Sequence, residues 1–326
     1  MRKEAIALAA RSNLCAALVM LALVGVGRAA ELVTVQVGYG GIAGYQLPLW
    51  VNKEIGISKK YGIELEPLLI SGGALNMQAL LAGSIQMSQN SASSAIQAAL
   101  RGAPVVLIAV LENRMPLQII ARPEIKTPQQ LIGKKIGILR FGGSNDTGVQ
   151  WALRAWKIDP RQVTILQSGA TNARMTALTL GHIDATILSY PEIHLARKYG
   201  MNVLADMGDF SAYPNTSLLL TPFIEKQRAL AKNLLRSQIE AIHYVRTNRE
   251  GSIKTLKKYL RVDDVPSIEA TYEFFSRRTE ALPRPNLEGI KNILKEMAAP
   301  QRNPNDFLDM SLLDEIEKEG FMQRLR

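Results

Sequence analysis

Two matched sets of small polar residues are the positions of this chain best suited to chemistry. Gly40, Gly41, Ser71, Gly72, Asn90 and Ser91 form one set; Gly142, Gly143, Ser144, Asn145, Ser168, Gly169, Thr171 and Ser189 form the other. Each group falls where a short apolar run gives way to a helical pattern. The chemistry available there is recognition. Glycines let backbone approach a bound molecule, and hydroxyls and amides supply hydrogen bonds. The N–H groups that open a helix have no intrahelical partner and favour an anion such as a carboxylate, sulfonate or phosphate. Singly, each residue reads equally well as a turn or an N-cap. Their matched placement makes Gly41, Tyr45, Ser71, Gly72, Asn90 and Ser91 candidate ligand-binding residues on one side, and Gly143, Ser144, Asn145, Thr171, Ser189 and Tyr190 on the other. Tyr45, Phe141, Tyr190 and Tyr213 are close enough in sequence to act as aromatic walls, or to belong to the core. Arg140, at a strand end, is placed to pair with an anion or to cap a surface.

Reactive constellations are missing from the sequence. Cys15 is the only cysteine, there is no Gly-x-Ser-x-Gly elbow, and Gly142-Gly143-Ser144-Asn145 lacks the lysine of a phosphate-binding loop. His182, His194 and His243 do not form the i,i+4 pair of a helical zinc site. The chain is therefore read as a binder and not an enzyme, with no metal and no cofactor expected.

What positions these residues is an internal repeat. The run Val33 to Val37 leads through Gly40-Gly41 to an amphipathic segment ending near Ile55, then to the run Ile63 to Ile70 and Ser71-Gly72-Gly73. Lys135 to Leu139 leads through Gly142-Gly143 to a helical segment ending near Trp156, then to Val163 to Leu166 and Ser168-Gly169-Ala170. Ala82-Gly83-Ser84-Ile85 answers Leu180-Gly181-His182-Ile183, Ser91 answers Ser189, and Gly102 answers Gly200. A period of about 98 residues is far above that of solenoid repeats, so it describes two whole lobes on one plan, with a cleft between them. Alternating strands and helices predict a mostly parallel sheet in each lobe.

Past Thr221 the pattern turns purely helical, with Leu230, Leu234, Leu235, Ile239, Ile242 and Val245 at helical spacing. Further helices are expected at about Ile253 to Leu260, Ser267 to Thr279, Leu287 to Met297 and Ser311 to Glu319, punctuated by Pro283, Pro285, Pro300 and Pro304. Met115 to Ile120 reads as a strand passing from the first lobe to the second, and Ser217 to Leu220 as the strand that returns. The expected division is residues 30–114 for the first part of lobe one, 115–216 for lobe two and 217–326 for the rest of lobe one. A single crossing, with the C-terminal helices as a third unit, is the alternative.

Residues 1–29 read as a secretory signal peptide: Arg2, Lys3 and Arg11, then an apolar stretch from Leu14 to Val26, then Gly27 and Ala29 before the cut. Cys15 lies too early for a lipoprotein box. No later segment reaches roughly 18 uninterrupted apolar residues, so no stable membrane insertion is expected. The formal net charge is +10, with much of the excess between Lys226 and Arg261, where only Glu240 and Glu250 oppose it. With no reading element or stacking aromatics beside it, this reads as a solvated helix face, and nucleic acid is not an expected partner.

A family resemblance is carried by an ordered set of short strings. These are Pro48-Leu49-Trp50 through Gly56-Ile57, Tyr61-Gly62-Ile63, Gln78-Ala79-Leu80 with Gly83, Gly102-Ala103-Pro104-Val105, Leu131 to Gly137 and Gly181-His182-Ile183-Asp184-Ala185. Over roughly Val33 to Arg249 the chain resembles the nitrate/sulfonate/taurine and thiamine-precursor branch of the periplasmic solute-binding proteins of ATP-binding-cassette (ABC) importers. The resemblance implies an α/β, two-lobed periplasmic-binding-protein fold of the Venus-flytrap (type II) kind, with two strand crossovers and a helical C-terminal region. It also implies a periplasmic monomer that passes a small, anionic or heterocyclic molecule to an ABC permease with a cytoplasmic ATPase. Enzymes on this fold that resemble the family use a cysteine or a cysteine-rich motif, which the chain after Cys15 lacks. A soluble sensing module feeding a receptor shares the fold and stays open as an alternative.

Overall fold

A computed structural model describes residues 31–210 and 212–325, so the expected leader and Cys15 lie outside the described residues. From Thr34 onward the chain forms one compact unit. It is built on two five-stranded sheets with the same plan. The first has the order β2 (Ile63–Leu69), β1 (Val33–Tyr39), β3 (Met87–Ser91), β10 (Ala212–Leu220), β4 (Val105–Arg114). The second has β7 (Thr164–Gln167), β6 (Lys135–Ile138), β8 (Ala185–Leu188), β5 (Gln118–Ala121), β9 (Asn202–Asp206).

The repeat is thus a repeat of structure. Strands β1, β2, β3 and β4 correspond to β6, β7, β8 and β9. In each sheet the first and third strands of the set run parallel: Val37 opposite Met87, and Ile136 opposite Ala185. One antiparallel strand completes each sheet, and it comes from the other half of the sequence. β5 follows β4 but pairs with β8 and β9 in the second sheet, while β10 follows β9 but pairs with β3 and β4 in the first. Two crossovers result, giving two lobes joined by two short connections.

Two boundaries differ from the sequence reading. The strand expected from Met115 begins at Gln118, because Met115-Pro116-Leu117 is the bend between the sheets. Residues 212–216, assigned above to the second lobe, are the first half of β10. They pair in the first sheet, Asn215 with both Glu112 and Ser91, and Thr216 with Asn90. Most of the helical C-terminal region packs on the first lobe, which buries its apolar stripe. Helix Arg228–Thr247 packs on helix Leu47–Glu54 and buries Leu234, Leu235, Ile239, Ile242 and Val245, each such burial stabilising by roughly 1.5–3 kcal/mol.

Part of the basic excess on these helices is ion-paired across their surfaces. Lys232 lies 2.9 Å from both Glu315 and Glu319, Lys258 lies 2.6 Å from Glu54, and Arg228 and Arg236 pair with Glu315 and Glu319. No helix among the described residues is long and apolar enough to cross a membrane.

Space sets the identity of one residue in each lobe. A Cβ on Gly38 in β1 would stand 2.4 Å from Ile85 Cδ1, and a Cβ on Gly137 in β6 would stand 2.6 Å from Ile183 Cδ1. Real Cβ atoms do not approach so closely. The two glycines therefore let the helix-to-strand connection cross each strand at the same place.

Candidate functional site

Ligands of open α/β sheets sit beyond the carboxyl ends of parallel strands, where each strand turns into a helix. Here those ends face each other. The turns after β1, β2 and β3 in one lobe and after β6, β7 and β8 in the other enclose a cavity of about 90 Å³. The structure brings Gly41, Tyr45, Gly72, Asn90, Ser91, Gly143, Ser144, Asn145, Thr171 and Ser189 together around it. Met115, Pro116 and Leu117, the bend between the lobes, form part of its wall.

Two candidates stand elsewhere. Ser71 lines an adjoining compartment of about 150 Å³ that shares Gly40, Gly41, Leu139 and Thr171 with the first. Tyr190 lines neither. Its ring lies 4.7 Å from Phe274 and its carbonyl accepts a 3.3 Å hydrogen bond from Gly44 N–H, so it stitches the two lobes beside the cavity. Of the other aromatics, Tyr213 is a wall: it is buried, packs edge-on against Trp151 at 5.4 Å, and shares a 2.6 Å hydroxyl bond with Ser93. Phe141 is 50% exposed and is not part of either wall.

Four helices begin at the two compartments: Gly73–Leu81 after Gly72, Ala92–Leu100 after Ser91, Ser144–Ala155 after Gly143 and Thr171–Thr179 after Ala170. None has a side-chain N-cap bond, although Asp146 stands in the first turn of the third and Asn172 Oδ1 accepts from Ala173 N–H in the first turn of the fourth. Gly72 stands in the left-handed region at φ 88°, and Arg140 lies across it, its Cδ only 2.9 Å from where a Cβ would be. The asparagines hold backbone. Asn90 donates to Gly73 O at 2.8 Å and accepts from Ser91 N–H at 2.8 Å, while Asn145 Oδ1 accepts from Leu139 N–H at 3.2 Å.

The strongest feature of the cavity was not among the candidates. Arg174, on helix Thr171–Thr179, is 2% exposed and lines the wall. Its guanidinium donates to Gly169 O at 2.6 Å, Ile187 O at 3.1 Å and Thr186 Oγ1 at 3.2 Å, which holds it still. No carboxylate lies within ion-pair distance of it among the described residues. Burial draws its pKa down to about 10, with Tyr45 and Glu192 opposing at longer range. The Tyr45 hydroxyl, also buried, is pushed up to about 12 and stays neutral.

A signal for Arg174 existed in the sequence, since its position shares the buried helical phase of Met175 and Leu178. Gln46 and Gln89 were missed too. Both are buried wall residues, and Gln46 Oε1, Gln89 Oε1 and Ser189 Oγ have no hydrogen-bond partner among the described residues. Buried polar atoms are almost always paired, and here three exceptions belong to residues that line one cavity.

The NMT1/THI5-like family model matches residues 44–252. The chain belongs to the NMT1/THI5-like family. Among its relatives, a Brucella abortus (strain 2308) protein provisionally named a binding protein is 27% identical over 247 residues, 72% of this chain and 74% of that one. A solved structure from Bordetella bronchiseptica RB50 has a TM-score of 0.78 at 19% identity, covering 89% of this chain and 99% of that one. The periplasmic aliphatic sulphonate binding protein SsuA of Escherichia coli has a TM-score of 0.66 at 23% identity, covering 86% of this chain and 91% of that one. At these identities the structural likeness shows the periplasmic-binding-protein fold. The family match spans most of the cavity wall, from Tyr45 through Asn215.

Proposed function

We propose that this protein is an extracytoplasmic solute-binding protein that captures a small anionic organic molecule between its lobes and delivers it to the permease of an ABC importer. The observation that carries this reading is Arg174, a buried, immobilised guanidinium on the cavity wall with no carboxylate in ion-pair distance among the described residues. An unpaired buried charge is costly, and an anionic ligand supplies the counter-charge. Four helix N-termini add to the same preference. The family and the names of the relatives, the E. coli sulphonate binder among them, support the same class of function.

On this reading the leader directs export to the periplasm and the chain works there as a monomer. Residues 31–114 with 212–325 act as one lobe and 118–206 as the other, closing over the ligand about the two connections. On this reading the protein binds its ligand without transforming it; among the described residues no histidine, cysteine or lysine lines the cavity to activate a nucleophile.

The test is a thermal-shift and calorimetric screen of alkanesulfonates, carboxylates, phosphonates, nitrate and neutral heterocycles, with native mass spectrometry of protein purified from its own host. An anion present at about 100 times its Kd should stabilise the fold by ~2.7 kcal/mol. Binding confined to neutral molecules overturns the anion assignment, and turnover of a bound molecule overturns the transport role.

A further inference from the structure

The two compartments present charges of opposite sign. The second, with Ser71, Ala170 and Asn172 on its wall, is also lined by Glu192. Glu192 opens helix Glu192–Lys198, and its Oε2 is buried with no hydrogen-bond partner among the described residues. Like Arg174, it has no ion-pair partner among the described residues. The two groups influence each other through space without forming an ion pair. Burial makes Glu192 a reluctant anion, raising its pKa to about 7, and Arg174 offsets only part of that effect.

A plain anion satisfies one end of this arrangement and leaves the carboxylate as it was. A ligand with a cationic group at a suitable distance from its anionic group satisfies both ends, so each buried charge gains its partner from the same molecule. Thr171, Gly40 and Gly41 lie on both walls, so a ligand passing them remains beside the N-terminus of helix Thr171–Thr179. Resting on the solute-binding reading above, we infer that the natural ligand is a small zwitterion. Its anionic group lies at Arg174, and an ammonium or comparable N–H-bearing cation lies at Glu192. Glu192 is then the residue that selects an amine-bearing anion over the same anion without the amine.

Matched probes separate the two ends: taurine against ethanesulfonate, 2-aminoethylphosphonate against ethylphosphonate, and β-alanine against propionate. Each pair keeps its anionic head and differs at the amine. Calorimetry on the wild-type protein is expected to show the amine-bearing member of at least one pair bound about tenfold or more tightly. Glu192→Gln should abolish that preference by weakening the amine-bearing member while leaving the plain anion within about threefold. Glu192→Ala provides a second variant, and melting curves show that both are folded. Arg174→Met should weaken both members together. Plain anions binding as tightly as their amine-bearing partners, or a preference that survives in folded Glu192 variants, overturns the assignment. So does binding of other plain anions when no amine-bearing probe binds, and in that case the solute-binding reading stands. If no anion of any kind binds, the anion reading and this inference fall together.

Discussion

Replacing Arg174 by methionine keeps most of the side-chain length and removes the charge, which isolates what the guanidinium contributes. Two effects on the unliganded fold oppose each other. Gly169 O, Ile187 O and Thr186 Oγ1 lose a donor, at about 1–3 kcal/mol for each group that finds no substitute. Against this, an unpaired cation no longer has to be kept in the protein interior, a burden of several kcal/mol. The net change in unliganded stability should stay within about 2 kcal/mol, of either sign. Binding has no such offset. A hydrogen bond to a charged group contributes about 1.5–3 kcal/mol, so losing one or two of them should weaken an anionic ligand by at least about tenfold, and up to about twenty-thousandfold. Calorimetry gives the Kd, and melting with and without ligand shows the variant losing the ligand-induced shift. Arg174→Lys keeps the charge without the planar fork and should fall between wild type and Arg174→Met. A folded Arg174→Met with unchanged affinity would show that the helix N-termini alone hold the anion, and would refute the central argument.

Bulk placed on either side of the cleft should block closure, so Ser144→Trp in the first compartment and Ser71→Trp in the second should each abolish binding with little change in the unliganded melting temperature; if only one does, the ligand is held by a single lobe. Arg278 lies between a carboxylate of each lobe, 3.9 Å from Glu112 and 3.8 Å from Asp206, with its guanidinium 3.9 Å above the Phe274 ring. Asp206→Asn should therefore favour the open form, raising the scattering radius of the free protein and the Kd by a few-fold, for ~1 kcal/mol of lost attraction; an unchanged radius and Kd would show that this pair takes no part in closure. Burial raises the Glu112 pKa from 4.5 to about 8, with Arg278 opposing and Asp206 and Glu280 assisting. The folded state then holds a proton that the unfolded state has released, so Glu112 makes stability fall as pH rises from about 4.5 to about 8. Melting temperatures across that range should decline less steeply in Glu112→Gln; parallel profiles would mean that Glu112 is ionised in the fold.

Chain order and local pattern determined the elements of this protein, its two-copy plan and the turns that carry glycines and hydroxyls. Periodicity and punctuation are properties of neighbouring residues, and they survive without knowledge of the third dimension. The C-terminal helices show this, since Leu234, Leu235, Ile239, Ile242 and Val245 declared their buried stripe by spacing alone. So do the turns at Gly41, Gly72, Asn90, Gly143 and Thr171, because the strand-to-helix turns of a parallel sheet all lie at the same end.

Only the tertiary structure decided which strand completes which sheet. β5 and β10 each pair across the sequence halves, so residues 212–216 belong with β3 and β4 although they follow the second copy. It decided as well that Ser71 belongs to a second compartment, and that Tyr190, next to Ser189 in sequence, turns to Phe274 instead of the cavity. Arg174 and Glu192 gained their meaning from burial without a nearby partner. No local pattern encodes that condition, because it depends on the distance between groups that the fold brings close, and on the water that it removes from around them.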